Sequence, residues 1–268
     1  MKKIKSFSAL FLLFSAVVFT ACETEPIDPV LGENLGQNPG TDPGTDPGTD
    51  PGTDPGTSEG DYWPFAVNNQ WVFKKDGVTE EPTKITGTEV VNGNTYYKVT
   101  QFFNEAGTGE LTCSAVMLLR KEGANYSVRI SVDIPEQEGM TITVSPYEYV
   151  MLKDNLEAGA TWTQTVQHVT SYDMPGSPIP LPDMIMTLKF DGEIVEKNVT
   201  ATVNGQTYND VIKVKIKQTA TMEGFGGGTP PTVTNSEMWY SKSIGPIKSV
   251  ATGAGLSQTL ELDSYIVN

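Results

Sequence analysis

The sequence predicts an all-β protein, an antiparallel meander whose two related halves form one curved-sheet or barrel-like domain. Residues 90–99, VVNGNTYYKV, place two β-prone runs around Asn-Gly, which is the strongest short hairpin signal. In residues 211–217, VIKVKIK, lysines alternate with apolar residues, as expected for a strand with one solvated face. No stretch sustains the apolar spacing of an amphipathic helix. Strands and turns are therefore expected throughout the folded part.

An internal repeat divides the folded part into two halves. Each copy runs from a tryptophan, Trp71 or Trp162, through a strand to an Asn-Gly-x-Thr-Tyr turn, at 92–96 or 204–208, and on to another strand. A meander half cannot bury its apolar face alone, so the two halves are expected to share one core. Trp71 and Trp162 are predicted to be its equivalent anchors. Two separate domains are the alternative, but no polar linker lies between the halves.

Residues 1–21 are predicted to be a lipoprotein signal peptide. Three lysines precede the apolar stretch 7–19, which is shorter than the roughly 20 residues that span a bilayer. The segment ends Phe-Thr-Ala-Cys at 19–22. This resembles a bacterial lipobox, in which a small residue precedes a cysteine that receives diacylglycerol, although the lipobox usually has Leu in place of Phe19. We therefore predict lipidation of Cys22, and an ordinary secretory signal is the alternative.

Acidic residues follow the predicted lipidation site directly. Glu23, Glu25 and Asp28 lie within six residues of Cys22. They resemble the export tag of Bacteroidota lipoproteins that are moved to the cell surface. The resemblance favours an outer-membrane location on the external face, and the periplasmic face is the alternative.

Residues 22–61 are predicted to form a lipid-anchored acidic stalk. Four copies of Pro-Gly-Thr-Asp fill residues 39–54. Proline removes a backbone donor, glycine is entropically costly to order and aspartates repel one another, so an extended solvated spacer is expected. Calcium binding is a weaker alternative, because calcium loops place several oxygens at closer spacing. The all-β globular domain is then expected to occupy residues 62–268.

Charge limits the partners that can be expected. The chain has 33 acidic against 18 basic residues and a net charge of −15, which repels phosphate backbones, so no nucleic-acid partner is predicted. The membrane is expected as a partner through the lipid anchor, and a protein or glycan partner stays open. No cofactor is predicted.

Both ends of the folded part resemble a broad group of uncharacterised Bacteroidota-type lipoproteins. Residues 62–71, YWPFAVNNQW, are similar to that group's aromatic-Pro-Leu-x-x-Gly-x-x-Trp opening. Residues 238–248, MWYSKSIGPIK, are similar to its closing hairpin, Trp/Tyr-x-x-x-Gly-Val-Gly-x-Val-Lys. Asn68 and Ser243 stand where the group has glycine. The resemblance implies an antiparallel curved sheet or barrel-like fold and no particular activity.

Candidates for catalysis or metal binding are few. His168 is the only histidine, which excludes multi-histidine metal sites, and it is expected on the solvated face of a strand. Cys113 is expected to be a small core residue rather than a nucleophile. Glu136 and Glu138 are typical of a solvated turn. We therefore predict no catalytic and no metal-binding residues, and an enzyme is the less favoured class.

The four tryptophans offer an alternative use as a sugar-stacking platform. The equivalent positions of Trp71 and Trp162 favour core anchors instead, because large aromatic side chains dominate β cores. Trp63 lies at the stalk junction and is expected to contribute much less to stability. Trp239 belongs to the closing hairpin.

Three function hypotheses follow. The first is a tethered binding or scaffolding module, and the second is a carrier of lipid or other hydrophobic cargo, which needs a large apolar cavity. The third is a hydrolase that uses only carboxylates, which needs a convergent acid pair in a cleft.

Overall fold

The computed structural model describes residues 55–100, 114–136, 140–175, 181–223, 230–253 and 255–268. The signal peptide, Cys22, the Pro-Gly-Thr-Asp repeat, Cys113 and Glu138 lie outside these residues. The strands of the described part are β1 Gln70–Lys75, β2 Val78–Thr79, β3 Thr83–Val91, β4 Asn94–Val99, β5 Ser114–Glu122, β6 Asn125–Asp133, β7 Thr141–Val144, β8 Tyr147–Lys153, β9 Thr161–Asp173, β10 Met184–Val203, β11 Gln206–Glu223, β12 Thr232–Ser241, β13 Gly245–Gly253 and β14 Leu256–Ile266.

One antiparallel sheet runs through the whole domain, and its strand order follows the chain closely. The order is β7-β9-β10-β11-β12-β13-β14-β1-β3-β4-β5-β6-β8, with β2 paired to β1. The first half is therefore the meander β1-β3-β4-β5-β6-β8, and the second half is the meander β9 to β14. The halves join where β14 pairs with β1. The predicted all-β antiparallel fold is confirmed.

The repeated sequence features occupy equivalent places in the two meanders. Trp71 lies in β1 and Trp162 in β9, the first strand of each half. The two Asn-Gly turns join the second strand of each half to the third, β3 to β4 and β10 to β11. Asn92 and Gly93 have φ angles of 50° and 80°, and residues 204 and 205 have 46° and 80°. These are the left-handed conformations that a type I′ hairpin requires.

The core lies on the inner face of the curved sheet, and both halves contribute to it. Trp71 is 1% exposed and Trp162 is 9% exposed, which confirms their predicted burial. Tyr149 of the first half stacks on Phe190 of the second half, with ring centroids 4.1 Å apart. Gly192, the cross-strand neighbour of Trp162, leaves room for the indole, because a Cβ there would overlap the ring.

The sheet curls until its two ends meet. β7 and β8 are successive on the chain but stand at opposite ends of the strand order, β7 against β9 and β8 against β6. Between β8 and β9, side chains bridge the gap. The Gln164 amide accepts a hydrogen bond from Val150 N–H at 2.9 Å and donates one to the Glu148 carbonyl at 3.3 Å. The Trp162 indole N–H donates to the Val150 carbonyl at 3.4 Å. The halves are thus joined along both borders.

The chain packs on the domain from Pro55, ahead of the predicted start of the domain at Tyr62. Ala124 N–H donates to the Pro55 carbonyl at 3.0 Å. The Tyr126 hydroxyl accepts from Tyr62 N–H at 2.9 Å and donates to the Gly60 carbonyl at 3.1 Å. We call residues 55–64 the strap. Its contacts come from individual polar groups, which composition alone does not indicate.

The strap is bound by both halves of the sheet. On the first half, the Ser58 hydroxyl donates to the Asp154 carboxylate at 2.5 Å. On the second half, the Glu59 carboxylate pairs with the ammonium group of Lys197 at 2.9 Å, and the Lys197 side chain is only 4% exposed. Ser243 N–H donates to the Asp61 carbonyl at 2.6 Å.

Trp63 carries the end of the strap into the core. It is 2% exposed, and its ring lies 6.2 Å from Trp71, 6.0 Å from Tyr240 and 5.8 Å from Phe65. Trp71 belongs to the first half and Tyr240 to the second. Trp63 is thus as buried as Trp71, so the expectation that it is freer than the other anchors, which followed from its position beside a low-complexity segment, is wrong. A small stability cost for its removal is no longer expected.

Asn68 and Ser243 are among the non-glycine residues whose backbone is left-handed. Asn68 has φ 75° and Ser243 has φ 62°, so both adopt the left-handed conformation. Glycine reaches that conformation without a Cβ clash, and asparagine tolerates it better than most residues.

Candidate functional site

A groove of about 830 Å³ lies on the outer face of the second half. It spans the central parts of β9, β10, β11, β12 and β13. Strand residues alternate between faces, so every second residue of these strands is presented to the groove. Buried residues between them also contribute to the lining, namely Trp162, Gly192, Ile216 and Ser236. The central strand shows this alternation clearly, with Lys215 and Lys217 exposed and Ile216 buried between them.

The register of the sheet arranges the lining side chains in two rows. The first row across the strands is Thr163, Asp191, Lys217, Asn235 and Thr252. The second row is Thr161, Glu193, Lys215, Glu237 and Val250. Val250 is the single apolar member of the two rows. The surface therefore presents hydroxyl, amide, carboxylate and ammonium groups side by side.

The lysines that border the groove are paired with acids. Lys189 contacts Asp191 at 2.8 Å, Lys213 contacts Glu196 at 2.9 Å, and Lys248 contacts Glu261 at 2.8 Å. Lys215 and Lys217 differ from these three, because neither forms a salt bridge with any residue that the structure describes. Two cations without a direct salt bridge thus occupy the centre of the groove, although the charge of Lys217 contributes to the lowered pKa of its neighbour Asp191.

Asp191 is held in its ionised form. Its pKa is lowered by the hydrogen bond from the Lys189 ammonium group and then by the one from the Thr163 hydroxyl, which is 2.8 Å long. A glycosidase-type general acid needs the opposite, a raised pKa that keeps the proton at neutral pH. Asp191 is therefore suited to orienting a ligand rather than to donating a proton.

Trp239 lies beside the groove but does not offer an open ring. Its indole N–H donates to the Glu237 carboxylate at 2.8 Å. The ammonium groups of Lys213 and Lys248 lie 4.4 Å and 5.1 Å from its ring centroid, within cation–π range. Since the other three tryptophans are buried, the sugar-stacking alternative finds no open tryptophan face in the described part of the chain.

His168 is buried, contrary to the sequence expectation. It is 5% exposed on the inner face of β9, with its ring 5.3 Å from that of Tyr147. Neither ring nitrogen has a hydrogen-bond partner among the described residues. Burial lowers the pKa of His168 to about 4, so the imidazole is neutral at neutral pH. With no serine or carboxylate bonded to it, His168 is a core residue.

This burial predicts a loss of stability in acid. Unfolded His168 takes up a proton near pH 6.5, whereas the folded protein resists protonation down to about pH 4. Between these values the unfolded state binds more protons, so stability falls as pH falls, by about 3 kcal/mol in total at ~1.4 kcal/mol per unit. Urea denaturation of wild type and His168→Met between pH 7 and pH 4 should show a shallower loss in the variant. Identical pH profiles would contradict this account.

The remaining sequence candidates contribute nothing to the groove. Cys22 and Cys113 lie outside the described residues, and Glu136 is exposed at the end of one described segment. Within the described residues, no group of three or more His, Cys, Asp or Glu side chains is placed to hold a metal ion. The same residues form no helix long and apolar enough to cross a membrane.

Sequence reasoning missed the groove residues themselves. The alternation in 211–217 correctly indicated a solvated face for the lysines. It did not reveal which strands lie beside β11, because β9, β10, β12 and β13 are brought together by the sheet register.

No protein-family profile and no curated protein matches the chain. Among solved structures, a protein from Parabacteroides distasonis inferred to be a lipoprotein is similar, at 13% identity and a TM-score of 0.44. A protein from Bacteroides fragilis inferred to be exported, with a YmcC-like fold, is similar at 12% identity and a TM-score of 0.39. In both cases the match covers 76% of this chain and 98% of the other.

Proposed function

We propose that this chain is a membrane-tethered lipoprotein whose second half binds a polar, extended ligand in the outer groove. The observation that carries the proposal is the pair of side-chain rows described above. Five neighbouring strands hold these rows in fixed register, so the polar groups are positioned before a ligand arrives. Such preorganisation lowers the entropy lost on binding.

The other two hypotheses fit the groove less well. Hydrophobic cargo requires a pocket lined mostly by apolar side chains, whereas ten of the fourteen residues that line the groove are polar. A carboxylate hydrolase requires one acid that keeps its proton. The pKa of Asp191, the second member of the first row, is shifted in the opposite direction.

The tether is proposed from the sequence. Cys22 would carry the acyl chains, and residues 23–54 would separate the domain from the membrane. A Pro-rich chain spans at most about 3.1 Å per residue, so the maximum length of this segment is of the order of 100 Å. The acids after Cys22 favour the external face of the outer membrane. A binding module in that position can reach ligands away from its own membrane.

Filling the groove tests the proposal. We expect Asn235→Trp, which places an indole in the first row beside Lys217, to abolish binding of whatever class of ligand the wild type retains on glycan and peptide arrays. The mature chain with Cys22→Ser serves as the soluble background.

Thr88→Trp is the matched control, because Thr88, like Asn235, is an exposed polar residue of a strand but lies in the first half. It should bind as the wild type does. A ligand that binds equally to the Asn235→Trp protein, or the absence of any bound ligand on either array, would argue against the groove as a binding site.

A further inference from the structure

We propose, on the basis of the function proposed above, that the groove binds oligosaccharides carrying isolated carboxylate groups. Lys215 and Lys217 provide the first reason. They lie on the same face of the central strand β11, about 7 Å apart at the ~3.4 Å rise of an antiparallel strand. Neither has a salt-bridge partner in the described residues, unlike the lysines around the groove. An ammonium group that is not held in a direct salt bridge is available to a ligand carboxylate.

The acids around these lysines repel ligands that carry many negative charges close together. Glu193 and Glu237 are the cross-strand neighbours of Lys215, and Asp191 is a neighbour of Lys217. The whole chain carries a net charge of −15, so a densely charged polyanion is repelled. A ligand with one carboxylate per several polar groups can reach the lysines while its neutral parts lie beside the acids.

The neutral members of the rows favour a hydroxyl-rich ligand. Thr161, Asn235 and Thr252 supply hydroxyl and amide groups that donate and accept hydrogen bonds. The Thr163 hydroxyl donates to Asp191 and can still accept a hydrogen bond. The five strands of the groove span about 19 Å at ~4.8 Å per strand, which suits a short oligomer better than a single sugar.

A peptide fits this surface less well than a sugar chain. The backbones of β10, β11 and β12 are paired on both sides, so no strand edge is open within the groove for an added peptide strand. The rows also lack apolar pockets for peptide side chains, since Val250 is their one apolar member. Recognition must therefore come from side-chain hydroxyl, amide and charged groups, as it does for sugars.

The test compares two hexasaccharides by calorimetry on the soluble mature chain. The first probe is a hexasaccharide with a single glucuronic acid among five neutral sugars, and the second is the same hexasaccharide with that carboxylate methyl-esterified. We expect the acid to bind at least tenfold more tightly than the ester, and its affinity to fall as salt is raised, because salt screens exposed charges.

The double variant Lys215→Gln, Lys217→Gln should weaken binding of the acid at least tenfold. The control is Lys84→Gln with Lys98→Gln, which makes the same change in net charge on the first half and should leave the affinity unchanged. Thermal melting of both variants checks that they are folded.

Three outcomes would overturn the carboxylate proposal: no binding of the acid to the wild type, equal binding of acid and ester, or equal losses in the two double variants. None of these outcomes refutes the groove as a binding site if the array ligand is still lost in Asn235→Trp. A different result would contradict the position of the site proposed above. In that case the Asn235→Trp protein would still bind the acidic probe, and the Lys215→Gln, Lys217→Gln protein would not.

Discussion

Trp63→Ala is expected to destabilise the domain by about 3–5 kcal/mol, the usual loss for truncating a buried tryptophan. The indole is 2% exposed and lies against Trp71, Tyr240 and Phe65. Its removal would leave a cavity between aromatic side chains from both halves, which a strand framework closes only in part. Domains typically have about 5–15 kcal/mol of stability, so the loss is large.

Urea denaturation of the mature chain measures this effect. Trp239→Ala is the matched control, because the same side chain is removed from a partly exposed position on the outer face. The control is expected to lose much less stability. If both variants lose the same amount, Trp63 does not act as a core anchor and the packing described here is incorrect.

Cys22→Ser is expected to release the protein from the membrane completely. Each buried methylene of an acyl chain contributes about 0.8 kcal/mol, and a lipobox cysteine carries more than one chain. Without the thiol no chain can be attached. Cell fractionation together with labelling by a radioactive fatty acid measures both retention and acylation.

Cys113→Ser is the control, since Cys113 is the only other cysteine of the chain. It should remain labelled and membrane-bound. A Cys22→Ser protein that stays in the membrane fraction, or a wild type that takes up no label, would refute the lipid anchor.

The elements of the fold that depend on local sequence could be predicted. Asn-Gly turns determine their own hairpins, and the repeat of tryptophan, strand and turn indicated two related meanders. The burial of Trp71 and Trp162 followed from that repeat. Each of these inferences uses residues close together in the chain.

The features that depend on distant residues could not be predicted in this way. Trp63 follows a low-complexity segment, and only its contacts with Trp71 and Tyr240 place it in the core. His168 lies in β9, where buried and exposed residues alternate. The pairing of β9 with β10 decides which of the two alternating sets faces the core. The groove likewise requires five strands in register, and its two lysines without a direct salt bridge are recognisable only after the pairs made by their neighbours are known.

The strap determines how pulling force would enter the tethered protein proposed here. Tension from the membrane arrives at Pro55, and the strap passes it to Asp154 in the first half and Lys197 in the second. Contacts with both halves, rather than the pairing of one strand at a sheet edge, would then carry the load. At the end of the strap, the side chain of Trp63 is buried in the core, so pulling the strap off the domain requires this indole to leave the core. A ligand dragged by flow would therefore stretch the spacer before it unravelled the sheet that holds it.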